Sequence, residues 1–337
     1  MELPAWIGHC ARAGQGAAAQ PACTPQWKRN LLILHTQDQQ ALSDWEAVKT
    51  KIEARAPDIE VRIGSNDRPS ADVARWQVTR PSLVFSPFRL LAYRPPGGAV
   101  YAGSLMGKIA ECARLEDYDL PVPRTARLLP DLRLDPAIWG DYVIVKPVAG
   151  LRGRNIRLIR TSDVAGRFAA LTDNARRRML VQQFIEHIDA ENYPISCRVL
   201  TLFCEPLCQV ELTWTEPRLS LAELAAGPAG RIATNAEGAP KQGRLIKIPE
   251  ILALARRVAA AFPEIPCLGQ DIIRQTGTGK LYILETNPSG AIWHLSSATY
   301  AQRPDHTPEH LQAQYTQFNA LDVAANQLIA RTRAEAS

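Results

Sequence analysis

Residues 269–290 read GQDIIRQTGTGKLYILETNPSG, and this stretch predicts a β-hairpin that carries three oxygen ligands. Gly277–Lys280, with its two glycines, has the composition of a tight turn and lies between two apolar stretches that are predicted to be strands. Folding back at this turn would bring Asp271 beside Glu285. Asn287 projects from the same strand face as Glu285, because side chains alternate along a strand. Hard oxygen ligands of this kind suit Mg²⁺ held jointly with nucleotide phosphates. The alternative is an ordinary surface hairpin with solvated acids.

An amphipathic helix is predicted to begin at Lys108, well upstream of the hairpin, and Pro121 and Pro123 end it. Its apolar positions are Ile109, Cys112, Ala113 and Leu115. A lysine at the start of such a helix can supply a positive charge to a phosphate group.

A glycine-containing loop between two strands follows this helix. Tyr142–Val145 is a β-run that ends in a lysine, and Ile156–Ile159 is the second strand. Glycines in the loop would let backbone N–H groups approach phosphates without side-chain obstruction. On its own, such a loop is usually an ordinary hairpin. The assignment of Lys108, Lys146, Gly150 and Gly153 to the phosphates of a nucleotide therefore depends on the order of all the motifs together.

The order of these motifs, from Lys108 to Asn287, resembles the ATP-grasp superfamily. The resemblance implies ATP as the nucleotide and Mg²⁺ as its ion, with Mn²⁺ as the alternative. It implies that Arg198 lies near the transferred phosphoryl group and that Asn235 faces the γ-phosphate. The metal ligands would be Asp271, Glu285 and Asn287. The adenine would lie against an extended stretch whose members are Gln182, Gln183, Phe184 and Ile185.

The chain departs from the family pattern at the residue that would contact the ribose. Many relatives have an acid where this chain has Gln182 and Gln183, and an acid is also common at the position of Ser196. Three acids are therefore candidates for the residue that contacts the ribose, namely Glu186, Asp189 and Glu191. Of these, Glu191 is included in the predicted nucleotide-binding site.

Composition sets broad bounds on the class of protein. The 337 residues carry a net charge of +5 and are 46% hydrophobic, which suits a globular protein of two or three subdomains. The opening 26 residues lack the continuous apolar core of a signal peptide and are expected to form a flexible arm. Seven cysteines without a CxxC pair favour a reducing cytoplasm. No DNA- or RNA-reading motif supports a nucleic-acid partner, and no apolar run supports a membrane span.

The predicted fold class is α/β (α+β), with a small parallel-sheet N-terminal domain followed by two ATP-grasp subdomains. The boundaries are 1–26 for the arm, 27–102 for the N-terminal domain, 103–179 for the central subdomain and 180–337 for the C-terminal subdomain. Within them, a capping box at Ser43–Glu46 is expected to open a helix and Ser86-Pro87 to end a strand. Leu219–Gly243 is expected to be loop, and Leu311–Ile329 a single closing helix.

The activity implied by the resemblance is that of an ATP-dependent carboxylate–amine ligase. The ending NPSGAIW at 287–293 looks more like peptide-modifying members, so a peptide or amino-acid carboxylate is the first substrate class to consider. His294 directly follows and is a candidate to face the substrate. Two alternatives stay open: a kinase built on the same fold, and a nucleotide-binding regulator with little turnover. A homodimer is also left open.

Overall fold

The structure is a computed structural model that describes residues 27–37, 39–149, 155–227, 241–288, 293, 295–297 and 307–337. Three sheets organise these residues in chain order. Several predictions lie outside the described residues, namely those for the arm 1–26, Gly150, Gly153, Asn235 and His294.

The N-terminal sheet is parallel, as its alternation of strands and helices predicts. Its strands have the order β2-β1-β3-β4. Leu31 to Leu34 in the central β1 are fully buried, because helices and neighbouring elements cover both faces of a parallel sheet. The elements of this layer are β1 (Arg29–His35), α1 (Leu42–Arg55), β2 (Ile59–Ser65), α2 (Ala71–Gln77), β3 (Ser82–Arg89) and β4 (Ala99–Gly103).

The middle sheet is antiparallel and has the order β5-β8-β6-β7. One face packs Val143, Val145 and Val181 against Trp139. Alternation along β6 therefore turns Lys146 to the other face. The elements of this part of the chain are α3 (Lys108–Asp117), β5 (Thr125–Arg127), α4 (Pro136–Trp139), β6 (Tyr142–Pro147), β7 (Arg157–Arg160), α5 (Val164–Arg167), α6 (Asp173–Arg177) and β8 (Met179–Gln183).

The C-terminal sheet is antiparallel and has the order β11-β10-β9-β12-β13. Helix α8 covers one face through Leu254 and Val258, which share a core with Val199 and Ile272. The other face packs Leu200 and Leu202 against the core of the N-terminal layer, and Arg198 lies on this same face further along β9. The elements are β9 (Ile195–Leu202), β10 (Glu205–Trp214), α7 (Leu221–Ala226), β11 (Lys241–Leu245), α8 (Pro249–Ala260), β12 (Cys267–Arg274), β13 (Leu281–Asn287), α9 (Pro308–Gln317) and α10 (Ala320–Glu335).

Helix ends were the least accurate predictions. The capping box at Ser43–Glu46 is wrong, because α1 already begins at Leu42 and its N-cap, Ala41, has no side-chain cap. A capping box forms instead at Ser220 and Glu223, where it opens α7 inside a stretch predicted to be loop. The single closing helix is wrong as well. Asn319 adopts a left-handed conformation, with φ 53°, and divides it into α9 and α10.

Two further expectations failed for reasons of local packing. Strand β3 does not end at Ser86-Pro87 but continues to Arg89 across a register shift, which is where a strand tolerates proline. On α3, Ala113 is exposed and the buried positions are Glu111 and Leu115. The mixed α/β class is confirmed. The domain boundaries stay predictions, and β8 spans the one proposed between 179 and 180.

Among the described helices, none combines the length and apolar character that crossing a bilayer requires.

Candidate active site

A row of three charged side chains crosses three strands of the C-terminal sheet, on the face opposite α8. Asp271 on β12 stands opposite Arg198 on β9 and opposite Glu285 on β13. Directly opposed residues in an antiparallel pair share a face, so the three side chains lie together. Arg198 Nη1 donates to both carboxylate oxygens of Asp271, at 2.8 and 3.0 Å. The predicted hairpin that brings Asp271 beside Glu285 is confirmed.

A β-bulge sets the direction of Glu285. Asp271 pairs with Glu285 and the next residue, Ile272, pairs with Ile283, so Leu284 is the extra residue on β13. Such bulges re-aim side chains beside functional sites. Glu285 Oε1 accepts a hydrogen bond from Lys108 Nζ at 2.6 Å. The bulge therefore places the second carboxylate of the row at the first residue of α3.

Gly269 makes room for the arginine of this row. It pairs with Asn287 across the hairpin, two positions before Asp271 on the same strand face. A Cβ at Gly269 would lie 2.5 Å from Arg198 Nη2, so the guanidinium occupies the space that a side chain would fill. Asn287 Nδ2 is buried and has no hydrogen-bond partner among the described residues. A buried amide of this kind fits a ligand-binding role.

Lys146 forms the opposite wall, on the middle sheet. Its Nζ donates to Gln182 Oε1 at 2.9 Å, and Gln182 Nε2 donates to Thr125 Oγ1 at 3.0 Å. Burial lowers the pKa of Lys146; repulsion from Lys108 lowers it further, and attraction to Glu285 opposes the shift. Because such charge effects act at short range, they place Lys146 near both Lys108 and Glu285.

Glu111 is a buried carboxyl beside the candidate site that no sequence motif indicated. It is 5% exposed and accepts a short hydrogen bond from the Thr286 N–H, between the two predicted ligands of β13. Burial raises the pKa of Glu111 to about 7, and the Glu285 charge acts in the same direction. The available signal was its position one helical turn after Lys108, which places both side chains on the same face of α3.

The stretch predicted to contact the adenine covers the end of β8 and the two residues after it, and its burial varies. Gln182 is buried against Lys146, while Gln183 and Phe184 are half-buried and Ile185 is buried. Of the ribose candidates, Glu186 pairs with Arg218 at 2.6 Å. Asp189 caps its own turn by accepting from the Glu191 and Tyr193 N–H groups, at 3.0 and 2.8 Å. Glu191 is exposed in that turn. The ribose contact stays a prediction.

The donor set limits which metal this site fits. In the described part of the chain, no group of three or more His, Cys, Asp and Glu side chains is arranged to hold an ion. The described cysteines are free thiols, and burial raises the pKa of Cys197 and of Cys208 to about 12. Two carboxylates and an amide fit a hard ion that takes its remaining ligands from phosphate oxygens and water, as Mg²⁺ does. They do not fit a structural zinc site.

Comparison with known proteins identifies the fold. No protein-family model and no curated protein matches the chain. Among solved structures, the ATP-grasp ligase PsnB complexed with a minimal precursor is 19% identical, with a TM-score of 0.52 over 90% of this chain and 99% of that one. The D-cycloserine synthetase DcsG is 12% identical, with a TM-score of 0.50 over 89% of this chain and 99% of that one. Similarity over this much of the chain shows that the protein has the ATP-grasp fold, which confirms the fold that its motifs predict.

Proposed function

We propose that the protein is an ATP-dependent ligase that activates a carboxylate as an acyl phosphate and joins it to an amine. The proposal rests on one observation. Two lysines, Lys108 and Lys146, lie beside the row that Arg198, Asp271 and Glu285 form. The site thus combines several cationic donors for phosphate with two carboxylates for a metal ion.

The cationic side chains bind and orient the triphosphate. Lys108 and Lys146 approach from α3 and from the middle sheet, and Arg198 lies beside Asp271 at the end where the phosphoryl group is transferred. Asp271, Glu285 and Asn287 would hold Mg²⁺. The ion would stabilise the charge that develops on the phosphate oxygens. The same two carboxylates, Glu285 and Asp271, form ion pairs with Lys108 and Arg198.

The reaction needs no nucleophile from the protein. A substrate carboxylate oxygen attacks the γ-phosphorus, the bond to the bridging oxygen breaks, and ADP leaves. The amine then attacks the acyl carbon, a proton is lost from nitrogen, and inorganic phosphate departs with the C–O bonding pair. The barrier falls through positioning and charge neutralisation by Arg198 and the two lysines.

Two observations favour a peptide or amino-acid carboxylate as substrate. The strand that carries the ligands continues into NPSGAIW, the ending that resembles peptide-modifying members. The solved structure of PsnB, a ligase with this fold, contains a minimal precursor. We place the reaction in the cytoplasm, where ATP is abundant and free thiols persist.

Hydroxylamine trapping tests the chemistry without knowledge of the amine. Carboxylates are screened with Mg–ATP and hydroxylamine, which converts an acyl phosphate to a hydroxamate. The ligase predicts a hydroxamate that requires ATP and is lost in Lys146→Ala. A kinase would leave a stable phosphoester and no hydroxamate. Binding of Mg–ATP without hydroxamate or phosphoester across the screen would favour a regulator.

A further inference from the structure

We propose that the N-terminal parallel-sheet layer, residues 27–103, positions Lys108 and Asn287 in the active site and that Asp44 is its principal positioning residue. The roles of Lys108 and Asn287 rest on the proposed function. The new assignment is that two sets of contacts, which we call fastenings, determine the positions of these two side chains. One is made by Asp44 and the other by Gly103 and Ser104, and both lie outside the two sheets that would bind ATP.

The first fastening is a buried carboxylate that collects three hydrogen bonds. Asp44 lies in the first turn of α1 and is 4% exposed. Its Oδ2 accepts from Trp293 Nε1 at 2.7 Å and from the Ser296 hydroxyl, and its Oδ1 accepts from the Tyr315 hydroxyl at 2.5 Å. No cation among the described residues pairs with Asp44, so hydrogen bonds and the positive end of α1 compensate its burial.

Two of the three donors to Asp44, Trp293 and Ser296, follow the ligand strand in sequence, and the third, Tyr315, lies on α9. Trp293 is 1% exposed and its ring lies 4.4 Å from that of Trp45, the next residue on α1. Ser296 Oγ also accepts from the Ala41 N–H at 3.2 Å, just before α1 begins. Trp293 and Ser296 are therefore attached to the start of α1 by both apolar packing and hydrogen bonds.

The second fastening lies immediately beside the site residues. The Ser104 N–H donates to the Pro288 carbonyl at 3.0 Å. A Cβ at Gly103 would lie 2.7 Å from the Pro288 oxygen and 2.9 Å from the Arg89 nitrogen, so these backbones are as close as glycine allows. Pro288 directly follows Asn287, and the chain after Ser104 leads into α3, which begins at Lys108.

Both fastenings attach to the N-terminal layer, so both link the position of that layer to the positions of the site residues. Pro288 and Trp293 are each held on the N-terminal layer, at Gly103 and at Asp44 respectively. A shift of that layer would therefore move Asn287 together with Lys108. A displacement of about 1 Å in a catalytic site can cost about 100-fold in rate, so rigid attachment has a functional consequence.

A pair of glycine substitutions tests the second fastening. Gly103→Ala forces backbone atoms apart, whereas Gly97→Ala, in the same layer, meets nothing within 4 Å. In hydrogen exchange without nucleotide, we expect amides at 285–287 and 108–112 to exchange at least about tenfold faster in Gly103→Ala and unchanged in Gly97→Ala. Equal exchange in both variants would overturn the proposal.

Substitutions of Asp44 test the first fastening and add a readout of ligand binding. Asparagine can accept from Trp293 and Ser296 through Oδ1 and donate to the Tyr315 oxygen through Nδ2, whereas alanine can do neither. We expect Asp44→Ala to weaken Mg–ATP binding at least about tenfold at a temperature where it is folded, and Asp44→Asn to restore binding to within about threefold. Unchanged binding in Asp44→Ala, or no rescue by asparagine, would overturn the assignment.

The two proposals fail in different ways. If the wild-type protein bound no Mg–ATP, the proposed function would fail, and the exchange comparison of Gly103→Ala with Gly97→Ala would still decide the positioning. If Asp44→Ala unfolded, the same exchange comparison would decide it.

Discussion

Lys108 Nζ lies 2.6 Å from Glu285 Oε1, although 177 residues separate them in sequence. Arg198 makes the equivalent pair with Asp271, at 2.8 Å. Each carboxylate that we assign to a metal ion thus has a cation that we assign to phosphate. The side chains are only partly exposed, between 16% and 27%, so pairing limits the cost of their desolvation. Binding of Mg–ATP would exchange these partners, since Mg²⁺ replaces the cations and phosphate replaces the carboxylates.

The substitution Glu285→Gln should impair the binding of Mg–ATP while leaving the stability of the fold nearly unchanged. Glutamine keeps an acceptor for Lys108, so the free energy of unfolding without ligand should change by about 1 kcal/mol or less. The loss of one charge at the metal should abolish the thermal stabilisation by Mg–ATP that the wild-type protein shows. Thermal denaturation with and without Mg–ATP measures both effects.

Glu264→Gln is the matched control, because it alters an ion pair with Arg114 that lies outside the site. It should leave the response to Mg–ATP unchanged. A wild-type shift in Glu285→Gln would remove Glu285 from the metal site.

Gly269→Ala should disable Arg198 without unfolding the protein. The new Cβ would meet the far end of the Arg198 side chain at 2.5 Å rather than backbone, so the guanidinium can move away at small cost. Arg198 would then lose its two hydrogen bonds to Asp271. We expect hydroxamate formation to fall by about 10² to 10³, as removal of a transition-state donor does.

Arg198→Gln should reproduce the loss seen in Gly269→Ala, and the double variant should be no worse than either alone. Gly166→Ala serves as the control, since a Cβ there meets nothing within 4 Å. Full activity in Gly269→Ala would show that the position of Arg198 over this glycine is irrelevant to the reaction.

The hairpin that carries the acidic site residues could be predicted from the sequence, because a glycine turn between two apolar strands is a local signal. The exact pairing of Asp271 with Glu285 also needs the bulge at Leu284, which no local signal indicates, since a regular register would place Asp271 opposite Leu284. The helix that begins at Lys108 also follows from its apolar positions and from the prolines that come after it. Local pattern cannot, however, reveal which helix face meets a distant strand.

Glu111 and Asp44 show what local pattern leaves out. Both are charged side chains in amphipathic helices, where polar positions are expected to face solvent. Both are buried because groups far away in sequence donate hydrogen bonds to them, from Thr286 to Glu111 and from Trp293 to Asp44. Nothing within either helix indicates those partners. The break at Asn319 was missed for a related reason, since an apolar periodicity continues on both sides of it.

Glu111 should make the protein less stable as pH rises. Its pKa is about 7 in the folded protein and 4.5 ordinarily, so folding disfavours the ionised form. The stability associated with the neutral carboxyl is complete below pH 4.5 and is lost as pH rises through 7, at a cost approaching about 3 kcal/mol. Glu111→Gln keeps an acceptor for the Thr286 N–H and removes this dependence.

Urea unfolding at pH 5 and pH 8 measures the effect. Between these values, wild type should lose about 2–3 kcal/mol more than Glu111→Gln. Glu309→Gln, at an exposed helix start, provides the control for general effects of charge removal. An identical pH dependence in wild type and Glu111→Gln would contradict the burial of an ionisable carboxyl at this site.

We expect Lys146 to lower the stability of the folded protein while contributing to ligand binding. The substitution Lys146→Met tests this directly. Burial and repulsion from Lys108 lower the pKa of Lys146, so its charged form is disfavoured in the folded protein. Methionine removes a desolvation cost of several kcal/mol and leaves the Gln182 oxygen without its donor, which costs about 1–3 kcal/mol. The first effect is larger, so we expect Lys146→Met to be more stable by about 1 kcal/mol or more at pH 7 without ligand.

The gain should shrink as pH rises toward 10.5, the ordinary pKa of lysine, because the folded wild-type protein then carries Lys146 in its neutral form. Mg–ATP should no longer stabilise Lys146→Met, since the buried charge that faces the phosphates is gone. Lys51→Met, which removes a partly exposed partner of Asp322, should instead be slightly less stable and keep its full response to Mg–ATP. A Lys146→Met protein that is less stable than wild type at pH 7, yet still stabilised by Mg–ATP, would mean that this lysine is structural and that the phosphates bind elsewhere.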